Sequence, residues 1–404
     1  MLKDEVKQNT KKRVLIVIGT LAIGGGAEKV AATIGSELTR RGHEVHLLTF
    51  YEADQKYDYI GIYHTLGEAL LRSRLSKVAR IPLRILAIRR YAKQYNIDVA
   101  VSFLEEANFY TLLTKLFLYW RLSVIVSVRN NIEKREWPFK LATRILYPFA
   151  KKVVSVTKVI EEILKLKFNL RNTTTIYNPL DLVNINKMAG EPLPLELVDI
   201  FNHHPLLISI GRLIQQKGQW HLIRAFVAVR QAHPQARLVI LGEGEYRKKL
   251  EQLIIDCGLS DSVFLIGKHE NVYRFLAAAD IFVFSSLWEG MPNTMLEALA
   301  VGLPIISPDC VSGPREIIAP EVEVDGHIGY PYVTESGVLT QPLENDIIWS
   351  TTEPLTAGEL VLSQAIKDSL LTLGSHHAKN DDKLIPFSLA TVTDQWEKLV
   401  LGSK

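Results

Sequence analysis

The chain has 404 residues, 47% hydrophobic and 23% charged, with a formal net charge of +3. That length accommodates two domains of ordinary size, each with its own core, and the composition is globular throughout. Cys257 and Cys310 are the only cysteines. They are too few for a disulfide framework and lack metal-ligand spacing, which points to a reducing compartment, the cytosol.

The opening MLKDEVKQNTKKR is charged and leads into an apolar run too short to span a bilayer, so no secretory signal is expected. A cytoplasmic chain, soluble or held peripherally at the cytosolic face of a membrane, follows. RVLIVIGTL predicts a first strand, IGGGAEK (23 to 29) a glycine-rich loop, EKVAATIGSELTRRG a helix and HEVHLLTF a second strand. Leu70 to Ile97 then holds eight basic residues and no acid. As a helix running through Pro82 it sets Leu75, Val78, Ala79 and Leu86 on one face and Lys77, Arg80 and Arg84 on the other. Such a basic amphipathic segment fits a membrane surface, and equally an ordinary helix with a solvated cationic face. FYTLLTKLFLYW (109 to 120) is apolar but broken by Lys115 and Arg121 and is not a spanning helix.

DVAVSF, SVIVSV and KVVSVT predict further strands, and NPLD with EPLPLE breaks the periodicity between Tyr177 and Phe201, the expected linker. Beyond it strands and helices alternate: PLLISIGRL, QWHLIRAFVAVRQAHP, ARLVILGEG, a helix closed by Gly258, SVFLIG, NVYRFLAAAD, IFVFSS, TMLEALAVG and PIISP. No period is evident from 321 to 360, and SLATVTDQWEKLV predicts a closing helix. Continuous apolar strands joined by helices mean parallel, doubly wound sheets. The fold class is α/β, with two Rossmann-like domains over 1–180 and 181–404. Residues 1 to 180 hold 30 Lys and Arg against 16 Asp and Glu, and the remainder 17 against 28. A basic first half suggests that it faces an anionic surface or acceptor.

The chemistry-bearing motifs fall at strand ends, where open α/β sheets bind ligands. GRLIQQKG (211 to 218) offers Arg212 and Lys217. SLWEGMPNTMLEALAVGLP (286 to 304) offers Glu289 and Glu297, eight positions apart across a turn and the opening of a helix. Two fixed cations facing a helix N-terminus with carboxylates are what an anionic leaving group attached to a polyol requires. A nucleotide diphosphate gains charge as the glycosidic bond breaks, and either a metal or cations must neutralise it. No Asp-x-Asp stands at a strand end, so neither metal nor cofactor is expected and Arg212 and Lys217 serve instead, a planar fork beside a point charge. The helix near Asn293 and Thr294 points amides at a diphosphate. Glu289 would accept from sugar hydroxyls and Glu297 from ribose.

At these residues the chain resembles glycosyltransferase family four, of the GT-B fold, in which an Arg-x4-Lys pair and an E-x7-E motif recur in this order. The resemblance covers most of 13 to 318 and implies two such domains facing a cleft, with the final helix returning to the first. It further implies a retaining transferase moving a sugar from a nucleotide diphosphate, UDP by preference, to a lipid-linked or polysaccharide-precursor acceptor. The Gly-Gly-Ala-Glu loop of that family matches Gly25, Gly26 and Glu28, which would line the cleft against donor phosphates and acceptor. As a dinucleotide fingerprint the loop is weak, since Lys29 stands where a third glycine belongs. Glu316, in Ser312 to Glu316, resembles the acid after the family's final strand. Arg129, Asn130 and Asn131 follow SVIVSV and could reach sugar or acceptor. The family's first-domain His has no evident counterpart: His43 and His46 flank a strand and His64 lies in a loop. His203 with His204, and His376 with His377, are poor metal sites, and His269 follows SVFLIG, where the family contacts the base through backbone. The partners implied are a nucleotide-sugar donor, a glycan or polyprenyl-linked acceptor and an anionic membrane surface, with no nucleic acid. A nucleotide-sugar epimerase and a non-catalytic nucleotide-binding protein stay open as alternatives.

Overall fold

The computed structural model describes residues 11–69, 74–324, 326–372 and 381–402, the side chains of 74–78, 134 and 381 excepted. The chain divides into two units, 1–179 with 389–404, and 180–388. The first unit runs β1 (Arg13–Ile18), α1 (Gly26–Arg40), β2 (Glu44–Tyr51), β3 (Ile62–Glu68), α2 (Arg74–Gln94), β4 (Val99–Phe103), α3 (Glu105–Phe117), β5 (Ser123–Val128), α4 (Trp137–Leu146), β6 (Lys152–Ser155), α5 (Lys158–Phe168) and β7 (Thr173–Thr175). The second opens with α6 (Leu182–Ala189), α7 (Val198–Phe201), β8 (Leu206–Ile210), α8 (Gln219–Ala232), β9 (Arg237–Leu241), α9 (Arg247–Asp256) and β10 (Val263–Gly267). It continues through α10 (Tyr273–Ala277), β11 (Ile281–Val283), α11 (Asn293–Ala300), β12 (Ile305–Pro308), α12 (Pro314–Ile318), β13 (Tyr332–Thr334), β14 (Gly337–Thr340), α13 (Ala357–Leu371) and α14 (Asp381–Leu384). The last helix, α15 (Leu389–Leu401), belongs to the first unit.

Each unit is built on a seven-stranded sheet, ordered β3-β2-β1-β4-β5-β6-β7 in the first and β10-β9-β8-β11-β12-β14-β13 in the second. The first sheet is parallel throughout its pairings, and in the second only β13 runs antiparallel, against β14. Strands such as VAVSF and IISP are buried along their whole length, as helices on both faces require. The strand order reverses between β1 and β4 and again between β8 and β11, so the crevices of the two sheets open beyond the carboxyl ends of those strands.

Helix α15 joins the first core through Trp396, which lies with Val14, Ile16, Val101 and Phe103 and stacks 5.6 Å from the Phe103 ring. An indole covers roughly 200 Å², worth on the order of 5 kcal/mol at roughly 25 cal/mol per Å², which is comparable to the net stability of a domain. Loss of α15 would therefore unbalance the first unit. Residues 182 to 201, read from sequence as linker, instead form α6 and α7 within the second unit.

The basic run also departs from its expected geometry. Helix α2 does run through Pro82, yet Arg84 is fully buried and not on a solvated face. Its guanidinium is held by Glu68 of β3 at 2.6 Å, by the Tyr51 hydroxyl at 2.8 Å and by Glu106. Burial works against the charge, but these partners raise its pKa above the usual arginine value. Lys77 lies outside the described side chains and Arg72 outside the described residues. His64 stands in β3, not a loop, and His46 lies inside β2, bonded to the Tyr91 hydroxyl at 3.0 Å. His376 and His377 lie outside the described residues.

From 321 to 360, where no period was legible, β13 and β14 form and an irregular stretch is pinned from beneath. Arg224 of α8 donates to the carbonyls of Ser350, Glu353 and Pro354, and its Nε lies 2.9 Å from Glu359 Oε1. His221 Nδ1 meets the same oxygen at 2.8 Å. Thr356 and Glu359 close a capping box that starts α13. One buried carboxylate thus organises α8, α13 and the loop between β14 and α13.

Candidate active site

In the second unit, adjacent strands β9, β8, β11 and β12 bring four loops to one sheet edge. The loop after β8 carries Arg212 and Lys217 and closes at Gly218, whose φ of +57 suits glycine and whose Cβ would meet the Ser285 carbonyl oxygen at 2.3 Å. Leu287 N donates to Gln216 O at 2.9 Å and Ser285 Oγ to Lys217 O at 2.8 Å. The two motifs read from sequence are therefore laced together by their backbones.

Their side chains meet as well. Lys217 Nζ lies 2.5 Å from Glu289 Oε1, and Gln216 Nε2 donates to Trp288 O at 2.9 Å and to Glu289 Oε2 at 3.4 Å. Both Lys217 and Glu289 are largely withdrawn from solvent, so each carries the other's counter-charge. Arg212, by contrast, is exposed on the same loop. Burial pushes the nearby Cys310 thiol well above its usual range, with Glu289 adding to the effect. It is an inert thiol, not a nucleophile.

Glu289 leads into Gly290, Met291 and Pro292, and α11 begins at Asn293 with Thr294 second. The loop after β12 braces this turn: Ser312 Oγ donates to Gly290 O at 2.8 Å, and a Cβ on Gly313 would strike Pro292 Cδ at 2.4 Å. Glu316, on α12, is buried behind it. Glu297 is buried one turn into α11, where the Tyr273 hydroxyl donates to its Oε1 at 3.2 Å. The acid on this apolar helix therefore has a partner on α10.

Two parts of this edge escaped the sequence reading. Gly242 and Gly244, after β9, press on the Arg212 loop so closely that Cβ atoms there would meet Gly211 O at 1.9 Å and Leu213 O at 2.3 Å. The pair of glycines after a strand was the available signal. Ser286, beside Glu289, has a buried hydroxyl with no partner among the described residues; no spacing marks such a residue out.

At the carboxyl edge of the first sheet, the glycine loop follows β1. Gly24 takes a φ of +112 and donates to the Tyr57 hydroxyl at 3.1 Å. The Glu28 carboxylate folds onto Gly25, where a Cβ would lie 1.9 Å from its Oε2, and Gly26 opens α1. A side chain at position 25 would therefore displace the Glu28 carboxylate but would not clash with backbone. Beyond β5, Arg129 is buried; one Nη donates to Asn178, while Nη1 has no partner among the described residues. Burial lowers its pKa to about 9, which still leaves it charged at neutral pH. Asn131 accepts from Glu133 N at 2.9 Å and caps a short turn. Glu105 and Glu106, which open α3 after β4, were passed over in the sequence: Glu105 pairs with Arg135 at 3.1 Å and Glu106 with Arg84.

The described residues contain no group of three or more His, Cys, Asp or Glu side chains able to hold a metal ion. What the second-unit edge offers chemically is one paired cation and one exposed one, an amide-bearing helix start and two buried carboxylates.

Comparison with known proteins gives this arrangement its family. The model described as Glycosyltransferase Family 4 matches residues 24–184 and that described as Glycosyl transferases group 1 matches 198–336. An uncharacterized glycosyltransferase of Methanocaldococcus jannaschii is 34% identical over 343 residues, covering 80% of this chain and 84% of the relative. A Campylobacter jejuni relative, named N-acetylgalactosamine-N,N'-diacetylbacillosaminyl-diphospho-undecaprenol 4-alpha-N-acetylgalactosaminyltransferase, is 29% identical over 74% of this chain and 83% of its own. Among solved structures, Anabaena HepE in complex with UDP and glucose superposes with a TM-score of 0.73 at 17% identity, over 97% of this chain and all of that one. Taken with the two parallel sheets, these matches place the chain in the group 1, family 4 glycosyltransferases, transferases of the GT-B fold.

Proposed function

We propose that the enzyme is a retaining glycosyltransferase that takes a hexose or N-acetylhexosamine from a UDP-sugar and passes it to a lipid-linked or polysaccharide-precursor acceptor. The observation that carries this reading is the joined second-unit edge, where Lys217, Glu289 and the start of α11 are held by direct hydrogen bonds. Arg212 and Lys217 would take the two phosphates, neutralising the diphosphate as it leaves. Asn293, Thr294 and the first amides of α11 would cradle the same group. Glu297 would accept from ribose, beside the Tyr273 hydroxyl, and Glu289 from sugar hydroxyls once phosphate draws Lys217 away. In the first unit, Gly25, Gly26 and Glu28 would border the donor phosphates and acceptor, and Arg129 would bind an acceptor oxygen or phosphate. Among the described residues at these edges, none is an evident covalent nucleophile. Retention accordingly assigns the leaving phosphate the role of assisting the incoming hydroxyl.

UDP is favoured because HepE was solved with UDP. A lipid-linked acceptor is favoured by the diphospho-undecaprenol in the C. jejuni relative's name, and a polysaccharide precursor by an Erwinia amylovora relative named for amylovoran biosynthesis. No helix among the described residues is long and apolar enough to cross a membrane, so work on a lipid acceptor would call for peripheral attachment at the cytosolic face. A panel of nucleotide sugars screened for thermal protection should single out UDP-sugars, and transfer to a polyprenyl-diphosphate sugar should survive EDTA. Protection by GDP-sugars alone would overturn the donor, and complete loss in EDTA restored by Mg²⁺ would overturn the cationic clamp.

A further inference from the structure

We infer that helix α4 is a docking surface for an anionic lipid bilayer. Its inner side is anchored by Phe139, whose ring lies 5.9 Å from Phe109 of α3, by buried Thr143, and by Tyr147 just beyond, whose hydroxyl accepts from Asn108 at 3.0 Å. Its outer side nevertheless carries large apolar side chains, and Phe139 at the margin is itself 39% exposed. Trp137, Leu141 and Ile145 follow at intervals of four and Phe149 continues the series, with 73%, 47%, 54% and 50% of their surfaces exposed. Residues four apart stack on one face of a helix, so Trp137, Leu141 and Ile145 form a single stripe that no core requires, with Phe149 in the short 3-10 turn that follows.

The outer face of a solvated helix is ordinarily polar, and contiguous exposed apolar side chains mark an interaction site. The charges around the stripe select the partner. Lys140 and Arg144 stand three and seven positions after Trp137, along one shoulder of the stripe. The helix itself carries no acid, and Glu136 stands before it as the N-cap. A cation-flanked stripe ending in tryptophan suits the headgroup boundary of an anionic leaflet, where indole rings settle and the apolar side chains reach the acyl region. Ten residues make a helix of roughly 15 Å, fit to lie in the interface and too short to cross it. The surface replaces the one expected on α2, where Arg84 is buried in the fold.

The inference extends the membrane-side reading of the acceptor and is tested apart from it, with vesicles that carry neither donor nor acceptor. The full chain is sedimented with vesicles of phosphatidylcholine alone and of phosphatidylcholine with phosphatidylglycerol, at low and high salt. Wild type should pellet with the anionic vesicles only, less so at high salt. Trp137→Ser/Leu141→Ser/Ile145→Ser and Lys140→Glu/Arg144→Glu should each lower the partition coefficient by about tenfold or more. Both variants should keep the wild-type unfolding midpoint and UDP affinity, and Arg80→Glu/Arg90→Glu on α2 should keep most of the binding. Unchanged binding in the α4 variants overturns the inference. So does a wild type that ignores all vesicles but self-associates through the stripe, which would make α4 a protein interface. Transfer to a detergent-solubilised acceptor, measured separately, fails only if the functional reading fails.

Discussion

The carboxyl edges of the two sheets share a strand order and differ in how their charges are balanced. On the second, Lys217 and Glu289 are paired at 2.5 Å and the loops are cross-bonded. On the first, Arg129 is buried beside a neutral amide with one nitrogen left over. A buried pair can stand without ligand, whereas a buried lone cation carries an uncompensated desolvation cost. The second edge is therefore charge-balanced without a ligand, whereas at the first a bound anion or acceptor oxygen would relieve the desolvation of Arg129.

The largest expected effect lies behind the second edge and tests whether its pairing is structural. Arg224→Ala removes the permanent counter-charge of Glu359, leaving it His221 and the Thr356 amide, and releases the carbonyls of Ser350, Glu353 and Pro354, and should cost about 3–5 kcal/mol in urea unfolding. A cost below about 1 kcal/mol would mean that the 344–357 stretch is held by other contacts. The same network sets a pH dependence. Burial raises the Glu359 carboxyl, but hydrogen bonds from His221 and Arg224 outweigh it and hold the folded pKa below its ordinary 4.5. Its stabilisation is then full above that value and is lost as pH falls through the lower folded one. Urea midpoints should drop between about pH 5 and pH 3 in wild type and drop less in Glu359→Gln; parallel curves would exclude this carboxylate.

Next in size is turnover. Arg212→Ala and Lys217→Ala should each lower kcat by roughly 10² to 10³ if each stabilises the departing diphosphate. Because Lys217 and Glu289 share one bond, Lys217→Ala/Glu289→Gln should be distinctly less damaging than the product of the single changes. Near-normal rates in either single cation variant would remove that residue from the site.

Arg129 should behave in the opposite sense to Arg224. Arg129→Met removes a buried charge that faces only the Asn178 amide and the Phe103 ring, and should raise stability while harming acceptor use. A loss of stability would show that Asn178 alone satisfies it. A smaller effect, about 1 kcal/mol in UDP binding, is expected for Glu297→Gln, which weakens acceptance from ribose while keeping its shape.

Much of the second edge was legible because its chemistry is local in sequence. Arg212 and Lys217 sit in one loop after an apolar strand, and Glu289 and Glu297 flank one helix start, so spacing together with the family resemblance set them on one sheet edge. The strand and helix alternation likewise announced both sheets. What was hidden depended on distant partners. Arg84 read as a solvated cation because Glu68, Tyr51 and Glu106 come from three other elements. The stretch from 344 to 359 carried no period because Arg224 and His221, more than a hundred positions earlier, hold it. Gly242 and Gly244 passed unremarked because their need for glycine arises from the neighbouring loop.

The central claim is that the paired edge of the second unit holds the donor diphosphate, and calorimetry of UDP binding to Lys217→Ala and Glu289→Gln tests it most directly. Lys217→Ala should bind UDP at least about tenfold more weakly, as loss of a charge-assisted bond to phosphate requires. Glu289→Gln, which releases Lys217 for phosphate, should bind UDP as tightly as wild type or more tightly. Wild-type affinity in Lys217→Ala, or loss of UDP binding in a folded Glu289→Gln, would contradict the account.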